Sequence, residues 1–271
     1  MKGREQIMSE FKVTRYRIRT EEGRGPDRPF SVVFLSDLHN ASYGEENEEL
    51  LSEIRNENPE AVFVAGDMVT AGPDVPQMDA ALGLMDELTK RYPVYYANGN
   101  HESRMKQGTR AETYERYANT IRSFGVHLLE NTKERIELQR MPVTVWGLEL
   151  ESEYFRRGIG RSLSKADVLE KLGEPDAHAY NILLAHHPCY FPAYASWGAQ
   201  LSLSGHLHGG LVRLPFLGGV VSPQLRLFPR YDRGLYTENG KKMIVSAGLG
   251  SHTVNLRINN PPELIVIDFV R

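Results

Sequence analysis

The sequence predicts an α/β protein whose strands are buried on both faces. Three observations carry this. Short apolar, β-branched runs recur at Phe30–Leu35, 61–65, Val94–Ala97 and 182–185, the composition of buried strands. Amphipathic helical stretches separate the first three and follow the third, as βαβ units require. Finally, polar clusters follow these runs directly, where the carboxyl ends of strands in such sheets bind ligands.

The elements follow in order. The glycine- and proline-rich stretch 23–29 is a turn between two strands. After the Phe30–Leu35 strand, 47–58 sets Leu50, Leu51 and Ile54 on one helical face and ends before Pro59. The 61–65 strand follows. The 77–92 helix then carries Met78, Ala81, Leu82, Met85 and Leu88 and stops before Pro93. Beyond the Val94–Ala97 strand, 109–124 carries Tyr114, Tyr117, Ala118, Ile121 and Phe124, with Gly125 as the residue past its end. The later chain is richer in strands, at 135–138, 143–148, 182–185, Leu201–Ser204 (the weakest signal), 243–247 and 264–270. A mixed sheet, or two packed sheets, fits this pattern better than a purely doubly wound fold. No repeat or long linker divides the chain, so one domain over 1–271 is expected.

Composition narrows the function. Of 271 residues, 41% are apolar and 25% charged, enough for a sizeable core and a polar surface. A net charge of −3 argues against gripping nucleic acid, and the Arg15, Arg17, Arg19 and Arg156, Arg157 clusters are too short to overturn this. One cysteine, Cys189, permits no intrachain disulfide. The first ten residues lack the apolar core of a signal peptide, and no run is long enough to span a membrane. The expectation is a cytoplasmic protein; the oligomeric state is left open.

Five clusters carry the chemistry: Asp37-Leu38-His39, Gly66-Asp67, Gly99-Asn100-His101-Glu102, His186-His187-Pro188 and Gly205-His206-Leu207-His208. Each is weak alone. At the ends of strands they converge, despite their separation in sequence. Carboxylate, amide and imidazole ligands without thiolate suit Mn, Fe, Zn or Ni better than calcium or a structural zinc site. Two divalent ions bring four positive charges. Asp37 and Asp67 remove two and a bridging hydroxide one, and the remainder suits a phosphate ester. Such ions lower the pKa of water from about 16 to about 7. Gly66, Gly99 and Gly205 each precede a candidate ligand, where a sharp turn is needed, although ordinary turns use glycine equally.

On these clusters, in this order, the chain resembles the calcineurin-like metallophosphoesterase superfamily. The resemblance implies a four-layer α/β/β/α sandwich of two mixed β-sheets flanked by helices. It implies two metal ions, one held by Asp37, His39 and His208, the other by Asn100, His186 and His206, with Asp67 bridging. His101 matches the family's catalytic histidine, which protonates or stabilises the leaving oxygen. The implied activity is hydrolysis of phosphate mono- or diesters by attack of a metal-bridging hydroxide. The substrate would be a small phosphate ester or a lipid headgroup. Downstream, Gly209-Gly210, Arg213-Leu214-Pro215, Phe228-Pro229-Arg230-Tyr231 and Gly248-Leu249-Gly250 resemble the bacterial YkuE/YaeI-like subgroup. Members often begin with a membrane anchor, which this chain is expected to lack.

Several residues keep two readings. Asn40 stands where many members carry glycine; its amide could reach a phosphate oxygen or cap a turn. The family's His-any-Pro pattern selects His186 over His187, which could instead face substrate. Glu102 could orient a neighbour or be an ordinary loop charge. Cys189 reads as a small buried residue, Asp74 and Asp79 as solvated carboxylates, and His127, His178 and His252 as histidines outside the site. The run 211–221, from Leu211 to Val221, reads as a β-hairpin; the sharper reading is an apolar lip touching a leaving group or a membrane surface. Two other functions remain. A catalytically silent scaffold would be betrayed by a missing ligand, and none is missing. A DNA nuclease would need a basic groove that the charge does not offer.

Overall fold

The structure is a computed structural model that describes residues 6–8, 10–20, 25–71, 77–156, 161–210, 212–214, 218–221, 229–251 and 257–271. Along the chain run β1 (Gln6–Met8), β2 (Lys12–Arg19), β3 (Phe30–Leu35), β4 (Ala41–Tyr43), α1 (Glu48–Glu57), β5 (Val62–Ala65), α2 (Asp79–Thr89) and β6 (Val94–Ala97). Then come α3 (Asn100–Met105), α4 (Ala111–Ser123), β7 (His127–Leu128), β8 (Lys133–Leu138), β9 (Met141–Leu148), α5 (Lys165–Leu172), β10 (Tyr180–Ala185) and α6 (Phe191–Trp197). The last are β11 (Leu201–Ser204), β12 (Val212–Leu214), β13 (Gly218–Val221), β14 (Gly234–Glu238), β15 (Lys241–Val245) and β16 (Glu263–Val270).

Two six-stranded sheets form, in the orders β2-β16-β3-β5-β6-β7 and β14-β15-β11-β10-β9-β8. Both are mixed. In the first, β16 runs antiparallel to β3 while β3, β5, β6 and β7 are parallel. In the second, β9, β10, β11 and β15 are parallel, with β8 and β14 antiparallel at the edges.

The period-two alternation of buried strands builds three apolar layers. Phe34, Phe63, Ile265 and Ile267 of the first sheet meet Val145, Ile182, Leu203 and Ile244 of the second. The opposite face of the first sheet (Val33, Leu35, Val64) packs on Leu50 and Ile54 of α1, Leu84 and Met85 of α2, and Tyr117 and Ile121 of α4. The outer face of the second (Trp146, Leu183, Val245) packs on Val168 of α5 and Tyr194 and Trp197 of α6. Helix, sheet, sheet, helix is thus the observed layering.

The elements expected from the sequence are present with boundary shifts of a few residues, and β11 is a full strand. Gly125 takes a left-handed φ of 99° just past α4, as a C-terminal glycine does. Cys189 is half-buried rather than buried, because it lies in a short turn at the sheet's end. His178 is exposed, and His127 pairs with Glu134 at 2.7 Å. Asp79 is exposed in the first turn of α2. Asp74, His252, Leu211 and 215–217 lie outside the described residues; β12 and β13 pair antiparallel, as the hairpin reading expects. Among the described residues no helix is long and apolar enough to cross a membrane.

Candidate metal centre

Five loops at the carboxyl ends of parallel strands build the site. Asp37 follows β3, Asp67 follows β5, Asn100 follows β6, His186 follows β10 and His206 follows β11. The loops are laced together. Asp37 N–H donates to Gly66 O at 2.9 Å, His39 N–H to Asp67 O at 3.0 Å, and Asn40 N–H to Met68 O at 2.9 Å. The two sheets also meet here: His206 N–H donates to Asp37 Oδ1 at 3.1 Å, and His186 Nδ1 lies 2.6 Å from Ala65 O.

The backbone is contorted where the ligands sit. Asp37, His39, Asn40, Asp67, His206 and His208 all have left-handed φ, between 49° and 72°. Such residues are uncommon outside glycine and cluster at functional sites, held by surrounding structure. Close approach explains two of the glycines: a Cβ on Gly99 would lie 2.3 Å from Asp67 Oδ1, and one on Gly205 would lie 2.1 Å from Asp37 Oδ2.

Side-chain donors converge in three groups, each with one ligand atom per residue and all within 4.8 Å of one another: Asp37, His39 and His208; His39, Asp67 and His101; and Asp67, His186 and His206. His39 Nε2 and His208 Nε2 lie 3.2 Å apart, at 3.9 and 3.4 Å from Asp37 Oδ1. His186 Nε2 lies 3.0 Å from Asp67 Oδ2 and 3.9 Å from Asp37 Oδ1. Asn100 is buried beside them on the first turn of α3. Two atoms here test the fit to cations: Asn100 Oδ1 and His186 Nε2 are buried without a hydrogen-bond partner. The short His186–Asp67 approach lacks hydrogen-bond geometry. Buried lone pairs without donors are costly, and a divalent ion with O and N ligands would satisfy them.

The electrostatics reflect crowded like and unlike charges. Burial, and then the neighbouring Asp67 charge, push Asp37 up to about 6 although His186 opposes them. Burial would raise Asp67 too, but His186 and His101 hold it well below the usual carboxylate range. Burial opposes protonation of His186, yet Asp67 and Asp37 raise it to about 9. Burial, followed by His187 and His186, pushes His206 well below the usual histidine range.

Neighbouring residues resolve open readings. Glu102 is fully buried. Its Oε2 accepts from Asp67 N–H at 2.9 Å and Gly99 N–H at 3.0 Å; its Oε1 accepts from Met68 N–H at 2.8 Å and Tyr96 OH at 2.7 Å. It therefore fixes the Asp67 turn. Asn40 Oδ1 accepts from Ala80 N–H at 3.0 Å and Ala81 N–H at 3.4 Å, capping α2 from a distant loop. Of its two readings, the cap is the one observed. His187 is buried, its Nδ1 accepting from Cys189 N–H at 3.3 Å and its ring 4.5 Å from that of His206.

Two neighbours carried no sequence signal. Phe155, in a single 3₁₀ turn, sets its ring 5.2 Å from His187 and 5.1 Å from His206. Asn260 is buried and donates through Nδ2 to Gly210 O at 2.7 Å and to His208 O, tethering the last ligand loop. Arg213 Nη1 reaches Gly209 O at 3.0 Å and Asp232 Oδ2 at 2.7 Å, joining the hairpin to that loop.

This layering and this set of donors define a metallohydrolase of the two-sheet sandwich class. Residues 30–210 match the family described as calcineurin-like phosphoesterase, and the chain belongs to that family. It is a metal-dependent phosphoesterase, a hydrolase. It is 25% identical over 255 residues to the metallophosphoesterase YkoQ of Bacillus subtilis, covering 94% of this chain and 89% of that protein. It is 24% identical to the phosphodiesterase YaeI of Escherichia coli, covering 89% and 83%. Among solved structures, the phosphopantetheinyl hydrolase of Mycobacterium tuberculosis aligns with a TM-score of 0.50 at 17% identity, covering 82% of this chain and 89% of that one. At that identity the likeness is one of fold.

Proposed function

We propose that the protein hydrolyses phosphate mono- or diesters with two divalent ions. Asp37, His39 and His208 would hold one, Asn100, His186 and His206 the other, and Asp67 would lie between them. The observation that carries this reading is the sharing of Asp67 between the His39–Asp67–His101 and Asp67–His186–His206 groups, beside a third group around Asp37. When bound, such ions neutralise phosphate charge and make water a nucleophile at neutral pH.

The chain's own contribution includes placement of a proton. Ala71 N–H donates to His101 Nδ1 at 2.9 Å, so the neutral ring carries its proton on Nε2. That atom lies 3.9 Å from Asp67 Oδ2, facing the centre. From there it hydrogen-bonds the departing oxygen, and as imidazolium it acts as general acid. The Ala71 bond favours the neutral ring, because an N–H on Nδ1 would face another N–H. Stabilisation of the leaving oxygen is then the larger part of its role.

The test is hydrolysis of bis(p-nitrophenyl) phosphate by Mn²⁺-loaded protein. His101→Ala should lower kcat by about 10²–10⁴-fold while Mn²⁺ still binds. Asp67→Asn should weaken Mn²⁺ binding itself. Wild-type rates in both variants would refute the assignment.

A further inference from the structure

Beside the candidate centre lies a cleft of about 210 Å³ between α3 and the 149–155 segment. Asn100 lines it, so the cleft borders the candidate centre at that residue. An apolar cavity of ~150 Å³ holds a benzene ring, so this one has room for a ring and a substituent. Its apolar wall includes Phe155, half-buried and 5.2 Å from His187 in a stacked pair.

Among the described residues that line the cleft, every charge but one is paired. Lys106 Nζ is 2.6 Å from Glu130 and 2.5 Å from Glu149. Glu130 is also paired with Arg122, and Glu151 with Lys171. Two cations thus answer Glu130 and Glu149, and one answers Glu151. Arg104 is left: it lines the cleft, is exposed, and makes no ion pair among the described residues. It stands four residues after Asn100 on α3, one turn along the same helix face.

We infer that this cleft binds the alcohol half of the substrate, and that the preferred ester carries a flat ring against Phe155 and a second anionic group at Arg104. The inference rests on the phosphoesterase reading above, which puts the reacting phosphate beside Asn100. A ring in the cleft gains offset or edge contact with Phe155. An anion about one helical turn from the phosphate meets Arg104, the lining cation without an ion pair among the described residues. Arg suits it because its fork matches planar carboxylate or phosphate.

Calorimetry on Mn²⁺-loaded protein with three phosphonates, which it cannot cleave at carbon, tests this independently of turnover. Phenylphosphonate should bind roughly three- to tenfold more tightly than methylphosphonate. 4-Carboxyphenylphosphonate should gain a further two- to fivefold or so. Phe155→Leu, which keeps an apolar cover but no flat face, should erase most of the first gain, with Mn²⁺ stoichiometry measured alongside to show that the centre is intact. Arg104→Gln should erase the second gain selectively. Equal affinities for all three ligands, or no binding of any, would overturn the inference. Failure of the phosphoesterase reading shows separately, as absence of bis(p-nitrophenyl) phosphate hydrolysis by protein that binds Mn²⁺ and discriminates among the phosphonates.

Discussion

Glu102 Oε2 accepts the backbone N–H of Asp67 at 2.9 Å, so one buried carboxylate sets the direction of another. With Gly99, Met68 and Tyr96 also donating to it, Glu102 gathers the turns after β5 and β6 around a single side chain. Burial and the nearby Asp67 charge raise it to about 7, its hydrogen bonds opposing.

Glu102→Ala should strand these donors. At about 1–3 kcal/mol for each buried unsatisfied group, the loss should reach roughly 3 kcal/mol or more in denaturant unfolding. Mn²⁺ affinity should fall with it. Glu102→Gln keeps one acceptor and should be intermediate in both measurements.

Asn40 separates a cap from a substrate contact. Asn40→Ala removes the acceptor for Ala80 and Ala81 N–H. It should cost about 1 kcal/mol, or roughly 2–4 °C in Tm. Asn40→Asp keeps the acceptor and should retain most of the stability. A fall in kcat with unchanged Tm in the alanine variant would instead favour a phosphate contact.

Gly205→Ala directs a Cβ to within 2.1 Å of Asp37 Oδ2, and at that distance one of the two must move. Mn²⁺ titration should show weakened binding at one of two sites, with activity falling in parallel. A wild-type isotherm would mean that the Asp37 loop yields freely.

In the metal-free protein, stability should decline as pH rises from about 6.5 to about 9. Asp37, Glu102 and His186 all have folded values above the ordinary ones, at about 6, 7 and 9. A raised group stabilises the fold below its unfolded value and loses that contribution as pH climbs through its folded one. Asp67 and His206 have the opposite sign: the window of Asp67 lies below 3.8, and that of His206 lies below 6.5, where it opposes the losses of Asp37 and Glu102. Bound cations displace these protons, so excess Mn²⁺ should flatten or reverse the slope. Tm measured against pH with and without Mn²⁺ checks this.

Much of this was legible in the sequence because buried strands advertise themselves. β3 and β6 are uninterrupted apolar runs that stop at polar clusters, and both match the expected bounds. β2 is harder to see: it is an edge strand whose Arg15, Arg17 and Arg19 face solvent, so no apolar run marks it. The strand-end clusters Asp37, Asp67, Asn100, His186 and His206 were readable because topology alone brings them together. Phe155, Arg104 and Asn260 were not. Their significance depends on contacts across the fold, and an isolated Phe, Arg or Asn has no period or spacing to read. Glu102 lies between these cases, adjacent to a visible motif but assigned only by the N–H groups that surround it.

The donors also divide between the sheets. Asp37, Asp67 and Asn100 hang from the first sheet, His186 and His206 from the second. Elsewhere the two sheets adhere chiefly through side chains of the apolar layer between them, which can slide and shear. A pair of cations drawing ligands from both would act as a clasp at one end of that seam. Stripping them with a chelator should then do more than silence chemistry. It should let the sheets part first at this end, so amide exchange should quicken at β5, β10 and β11 before it does at β2 or β14. The mechanical integrity of the sandwich and its reactivity would hang on the same few atoms.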